Sequence, residues 1–189
     1  RYYHRNHMWI QPLNGKARLG MDDFACRLLG EPSDIRVVPS DDRTPNATVL
    51  ELACNSHTIC IELPIAGRVF QANQDVLDDP ALVARDPYGR GWIVMLATAV
   101  EQDITSLMDL PQAMEWHRDE ARRLRERCRK WLEEREGGVF PANVAQLIPT
   151  QEWEEIVAEF LHPSPEALVV EDEETNHATA SSMHSGQRR

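Results

Sequence analysis

The chain has 189 residues, 42% of them hydrophobic, which suits one compact domain with a buried core plus an extension. Its 20 basic and 31 acidic residues give a net charge of −11, and the one dense basic run, 122–130, alternates with acids, so a phosphate-binding face and nucleic acid as a partner are not expected. No apolar run approaches the roughly 20 residues that span a membrane, no charged-then-apolar leader is visible, and four scattered cysteines, Cys26, Cys54, Cys60 and Cys128, do not make a disulfide scaffold, so a reducing cytoplasm is the expected compartment.

Residues 2–10 are aromatic and β-branched enough for a first strand, Asn14-Gly15 signals a two-residue turn, and a second strand follows over 17–20. Asp22 is placed to cap a short helix over 23–29, which Gly30 ends. Residues 34–38 alternate as a strand does, and 40–46 form a polar loop. Two β-rich runs, 48–53 and 58–63, flank Cys54-Asn55-Ser56-His57, and Asn and Ser suit a tight reversal, so a hairpin is expected here. A further strand covers 65–71. Asp78-Asp79-Pro80 opens a helix over 81–84, with proline tolerated in the first turn because its missing N–H would be unpaired there anyway. A turn at 86–89 leads into a closing strand over 91–97, apolar enough to be buried on both sides.

Several spaced motifs run through this stretch. They are Pro64-Ile65-Ala66-Gly67-Arg68-Val69, then Asn73 with Leu77 and Pro80-Ala81-Leu82-Val83, then Asp86-Pro87-Tyr88-Gly89-Arg90-Gly91-Trp92. Ahead of the hairpin stand His7, Trp9, Leu19-Gly20 and Asp23-Phe24-Ala25. Together they resemble the H protein of the glycine cleavage system over about the first 105 residues. The resemblance implies a mostly-β (α+β) fold, the barrel-sandwich hybrid of lipoyl- and biotinyl-type domains; the C-terminal helical extension that follows departs from the ordinary H protein, whose chain ends soon after a short helix. It also implies a lipoyl-bearing lysine eight positions before the hairpin proline, where this chain has Ser56, and a glutamate three positions ahead of it, where this chain has Ala53. The only lysines are Lys16 and Lys130, neither in the hairpin.

Past the strands a long amphipathic helix is expected from 110 to about 136. Leu110, Met114, His117, Ala121, Leu124, Cys128 and Trp131 recur at spacings of 4 and 3, the stripe that faces a partner helix or a groove. They are the candidate partner-binding residues, and packing on the chain itself is the competing reading. Gly137-Gly138 stops this helix, a linker covers 139–149, and Thr150 is placed to cap a helix over 151–161 with Glu154 near its first turn. Trp153, Ile156, Val157 and Phe160 share an apolar face of that helix. From Pro163 the chain turns acidic and then Ser/Thr/His-rich, a composition too poor in apolar surface to offset chain entropy, so disorder or extended binding is expected over 163–189.

Three chemistries bear on the hairpin tip. Lipoyl attachment needs an amine, and the Ser56 hydroxyl cannot form that amide. Cys54, His57 and Cys60 have the short spacing of soft metal ligands but lack a fourth, and strand alternation sends them to different faces. Ser56 beside His57 lacks a fixed orienting acid for nucleophilic catalysis. The leading expectation is therefore a non-enzymatic binding or structural subunit without cofactor, with an H-protein-like body over 1–105 and a helical extension over 106–162 that attaches it to a protein partner or larger complex. A lipoyl carrier of glycine cleavage or related acyl transfer, and a thiol or metal sensor at Cys54, His57 and Cys60, stay open beside it.

Overall fold

A computed structural model describes residues 1–38, 48–98, 107–133, 141 and 143–161. The expected polar loop over 40–46, the boundary near 105, the helix stop at Gly137-Gly138, most of the first part of the linker and the tail over 163–189 lie outside the described residues.

Two antiparallel sheets form the body. One runs in the order β1 (Tyr2–Tyr3), β2 (Met8–Leu13), β3 (Lys16–Met21), β8 (Val94–Ala97), β7 (Arg68–Ala72). The other runs β4 (Asp34–Val38), β5 (Val49–Cys54), β6 (His57–Glu62). Alternation along the strands sends one set of side chains between the sheets. Leu50, Leu52 and Cys54 of β5 and Ile59 and Ile61 of β6 join Ile10, Leu19, Met21 and Leu96 of the larger sheet in one buried cluster. These two sheets are the mostly-β, barrel-sandwich body that the resemblance implied, followed by helices.

The expected first strand over 2–10 is two strands. Tyr2 and Tyr3 fold back to pair with Ile10 and Trp9. The reversal is closed by His4 and Met8 (N···O 2.9 Å) and by His7 and His4 (3.0 Å), and His7 takes a left-handed backbone with φ 60°. Asn6 secures it from the second sheet, donating to the Glu62 carbonyl at 2.9 Å. Aromatic and β-branched composition does not mark this turn, because neither glycine nor proline makes it.

Helix α1 (Asp23–Leu29) begins and ends as expected. The Asp22 side chain accepts from the Ala25 N–H, and Gly30 leaves the helix at φ 79°, a conformation natural to glycine. Helix α2 (Gln74–Asp78) was not expected; it is a single turn, too short to show a period. Helix α3 is Leu82–Arg85 and the closing strand narrows to Val94–Ala97.

The long helix expected over 110–136 is broken. Helix α4 (Leu110–Arg127) opens with a capping box, in which Asp109 accepts from the Gln112 N–H while the Gln112 side chain accepts from the Asp109 N–H. It ends at the buried Cys128, where the backbone N–H is shared between the Glu126 and Leu124 carbonyls, and α5 (Arg129–Glu133) follows. Helix α6 (Thr150–Leu161) starts at Thr150 itself, so that residue lies inside the helix rather than capping it. Trp153, Ile156, Val157 and Phe160 are buried, with the Phe160 ring 5.6 Å from that of Phe24 on α1.

Candidate functional site

The β5–β6 hairpin closes with Cys54 opposite His57, so the loop is the two residues Asn55 and Ser56. Their φ values of 51° and 66° are both left-handed, the conformation whose twist matches a two-residue hairpin. Asparagine tolerates it because its short amide bonds nearby backbone; here Asn55 Nδ2 donates to the Leu29 carbonyl at 3.2 Å, tying the tip to the end of α1. Ser56 is exposed at the apex.

Helix α6 braces one side of this tip. The His57 ring stacks on Trp153 with centroids 4.7 Å apart, and His57 Nδ1 lies 3.2 Å from Glu154 Oε1. Glu154, expected to serve its own helix start, instead faces the hairpin. Trp153 is only 2% exposed, and its indole N–H meets no acceptor. The helix is held against α4 and α5 by a row of ion pairs: Arg123 to Glu159 at 3.2 Å, Arg127 to Glu155 at 3.3 Å and Lys130 to Glu152 at 2.7 Å. A polar hollow of about 400 Å3 on the outer face of the hairpin is lined by Ser33, Arg36, Glu51, Ser56 and His57.

The structure does not bring Cys54, His57 and Cys60 together as a ligand set. Cys54 points into the core and its thiol is pushed up to about 12 by burial. Cys60 lies on the other face of the hairpin opposite Glu51, and both cysteines are free thiols. Strand alternation separates them as the period of two requires.

The candidate partner stripe divides along α4 and α5. Leu110 and Met114 are 53% and 49% exposed, and Ala121 is exposed too. Leu124, Cys128 and Trp131 are buried in the chain's own core. His117, between the exposed Met114 and Ala121, turns toward the body.

There it completes a cluster that sequence reasoning missed. Asp22 Oδ2 lies 2.9 Å from His7 Nδ1 and 2.7 Å from His117 Nε2, while its Oδ1 accepts from the Ala25 N–H at 2.9 Å. The side chains of Asp22 and His7 are fully buried and that of His117 is 22% exposed. An ionised carboxylate only accepts, so both ring nitrogens donate to it. Burial alone would raise the Asp22 pKa, but the charge and hydrogen bonds of the two imidazoles hold it below the usual carboxylate range. Burial likewise works against a charged His117, and the bond to Asp22 outweighs it and raises that pKa. The three residues come from the first turn, the α1 cap and α4. The sequence signals were separate ones: Asp22 as a cap, His7 as part of a motif, His117 as a histidine on an apolar stripe.

Against known proteins, the model of the family described as Glycine cleavage H-protein matches residues 1–120. The chain is 29% identical over 122 residues to Glycine cleavage system H protein 4 of Aquifex aeolicus, covering 61% of this chain and 67% of that protein. It is 36% identical over 104 residues to the Glycine cleavage system H protein of Thermobifida fusca, covering 52% and 79%. The crystal structure of a glycine cleavage system H protein from Mycobacterium marinum superposes with a TM-score of 0.51 at 21% identity, over 62% of this chain and 95% of that one, and so shares its fold. With the two-sheet body, the hairpin and the matched span in agreement, the chain belongs to the glycine cleavage H-protein family.

Proposed function

We propose that this chain is a non-enzymatic, non-lipoylated H-protein-like subunit of the cytoplasm, which docks on a partner protein or larger complex. The observation that carries this reading is the tip of the β5–β6 hairpin. The position implied for the carrier lysine holds Ser56, and the neighbouring His57 is engaged by Trp153 and Glu154 of the chain's own C-terminal helix. An arm that swings between enzymes needs an amine on a free tip; here the amine is missing and one side of the tip is braced.

The two lysines are occupied elsewhere. Lys16 on β3 sits 3.5 Å from the centre of the Phe70 ring, and Lys130 on α5 is paired with Glu152 at 2.7 and 2.9 Å. In this reading residues 1–105 are the retained rigid body, 106–162 the extension, and the exposed Leu110 and Met114 the apolar part of the docking face. No described helix is long and apolar enough to cross a membrane.

Intact mass of the chain after co-expression with a lipoate ligase tests the first half, with the unmodified mass expected. A lipoyl adduct on Lys16 or Lys130 would overturn it. Affinity capture tests the second half: a partner recovered by the natural chain should be lost with the double variant Leu110→Glu/Met114→Glu. Equal recovery by that variant removes α4 from the docking face.

A further inference from the structure

We propose that His7, Asp22 and His117 form a binding site for a divalent transition-metal ion of the zinc class, which braces α4 against the two-sheet body. The three side chains offer two imidazole nitrogens and one carboxylate oxygen, all within 4.8 Å of one another. That donor set suits zinc and its first-row neighbours and leaves hard cations such as magnesium poorly served.

The site is built rather than incidental. Its donors come from three separate elements, and the rings of Phe24, Trp116 and Tyr3 pack around the two imidazoles. The His7 ring is stacked between Phe24 at 4.1 Å and Trp116 at 4.4 Å, and Tyr3 meets His117 edge-on at 5.7 Å. An imidazole polarised by a cation gains from two aromatic faces. The carboxylate is oriented from behind, since Oδ1 is fixed by the Ala25 N–H and leaves Oδ2 as a single aimed donor, the kind of support that outer hydrogen bonds give to metal ligands.

The protons can make way. His7 Nε2 meets no hydrogen-bond partner, so the tautomer of that ring is decided at Nδ1 alone. Coordination through Nδ1 of His7 and Nε2 of His117 moves the remaining ring protons to the other nitrogens. Zinc bonds of about 2.0–2.2 Å at tetrahedral angles hold donors roughly 3.3–3.5 Å apart. Loading therefore opens the present 2.7 and 2.9 Å contacts by roughly 0.4–0.8 Å. The partly exposed edge of His117 is the path of entry, and water takes the remaining position there.

This site is independent of what becomes of the hairpin tip. Metal-stripped chain titrated with cobalt(II), with zinc as competitor, tests it. The expected result is one cobalt per chain with visible ligand-field absorption, displaced by zinc. His117→Gln should weaken binding by roughly a hundredfold, while the double variant His177→Ala/His184→Ala, which removes two tail histidines, should bind as the natural chain does. Asp22→Asn keeps a helix-capping side chain but removes the anionic donor, and should weaken binding too. Near-UV circular dichroism establishes that each variant is folded. Absence of cobalt absorption at stoichiometric metal, unchanged affinity in folded His117→Gln, or loss of binding only in the tail variant would each overturn the proposal.

Discussion

Trp153→Ala is the perturbation that most directly tests whether α6 is part of the folded body. The indole is 2% exposed and stacked on His57 at 4.7 Å. A buried aromatic hides roughly 150–250 Å2, which at about 25 cal/mol/Å2 is an upper bound of about 4–6 kcal/mol. Truncations of buried aromatics to alanine cost about 3–5 kcal/mol. We therefore expect a loss of about 4 kcal/mol, a large share of the roughly 5–15 kcal/mol that holds a domain together. Trp153→Phe separates the ring from its N–H. The unpaired indole N–H costs about 1–3 kcal/mol to bury, and removing it offsets most of the lost area, so the phenylalanine variant should stay within about 1 kcal/mol of the natural chain. Urea unfolding gives both numbers, and hydrogen exchange at 54–58 should quicken only in the alanine variant. If Trp153→Ala loses less than about 1 kcal/mol, or leaves exchange at the tip unchanged, α6 does not brace the hairpin.

Three further outcomes are expected. A thiol reagent at neutral pH should label Cys60 first, because burial pushes Cys54 up to about 12 and Cys128 up to about 11 and raises Cys26 as well; peptide mapping in and out of urea checks the order. Asn73→Ala should cost about 2–4 kcal/mol in urea unfolding, since Asn73 Nδ2 donates to the Arg90 and Trp92 carbonyls at 2.7 and 2.6 Å and both would be left unpaired. Asn73→Asp should cost more, because it faces those carbonyls with another acceptor. Gly20→Ala should cost about 1–3 kcal/mol by the same measurement, for its Cβ would stand 2.6 Å from the Trp9 ring.

What could be read in advance was whatever is written along neighbouring positions. Alternation in β5 and β6 announced a hairpin, Asp22 and Gly30 marked the ends of α1, and spacings of 3 and 4 marked the apolar faces of α4 and α6. The break at Cys128 was hidden because the stripe runs straight through it, and the stripe did not reveal that its first residues would be exposed and its last ones buried. The reversal after Tyr3 was hidden because His7 adopts the left-handed conformation usually left to glycine or asparagine. The His7–Asp22–His117 cluster could not be read at all: its members lie 15 and 95 positions apart, and no local period reports which distant side chains meet. The brace of α6 on the hairpin is of the same kind, joining His57 to Trp153 across about half of the chain.

The row of charges between α4–α5 and α6 gives that attachment two layers with different responses to ionic strength. Arg123, Arg127 and Lys130, facing Glu152, Glu155 and Glu159, form a rim in contact with water, where each pair contributes at most about 1 kcal/mol and is screened by salt. Beneath it Ile156, Val157 and Phe160 are sealed from solvent and indifferent to screening. A brine that strips the rim should soften the helix ends and leave the apolar seam shut.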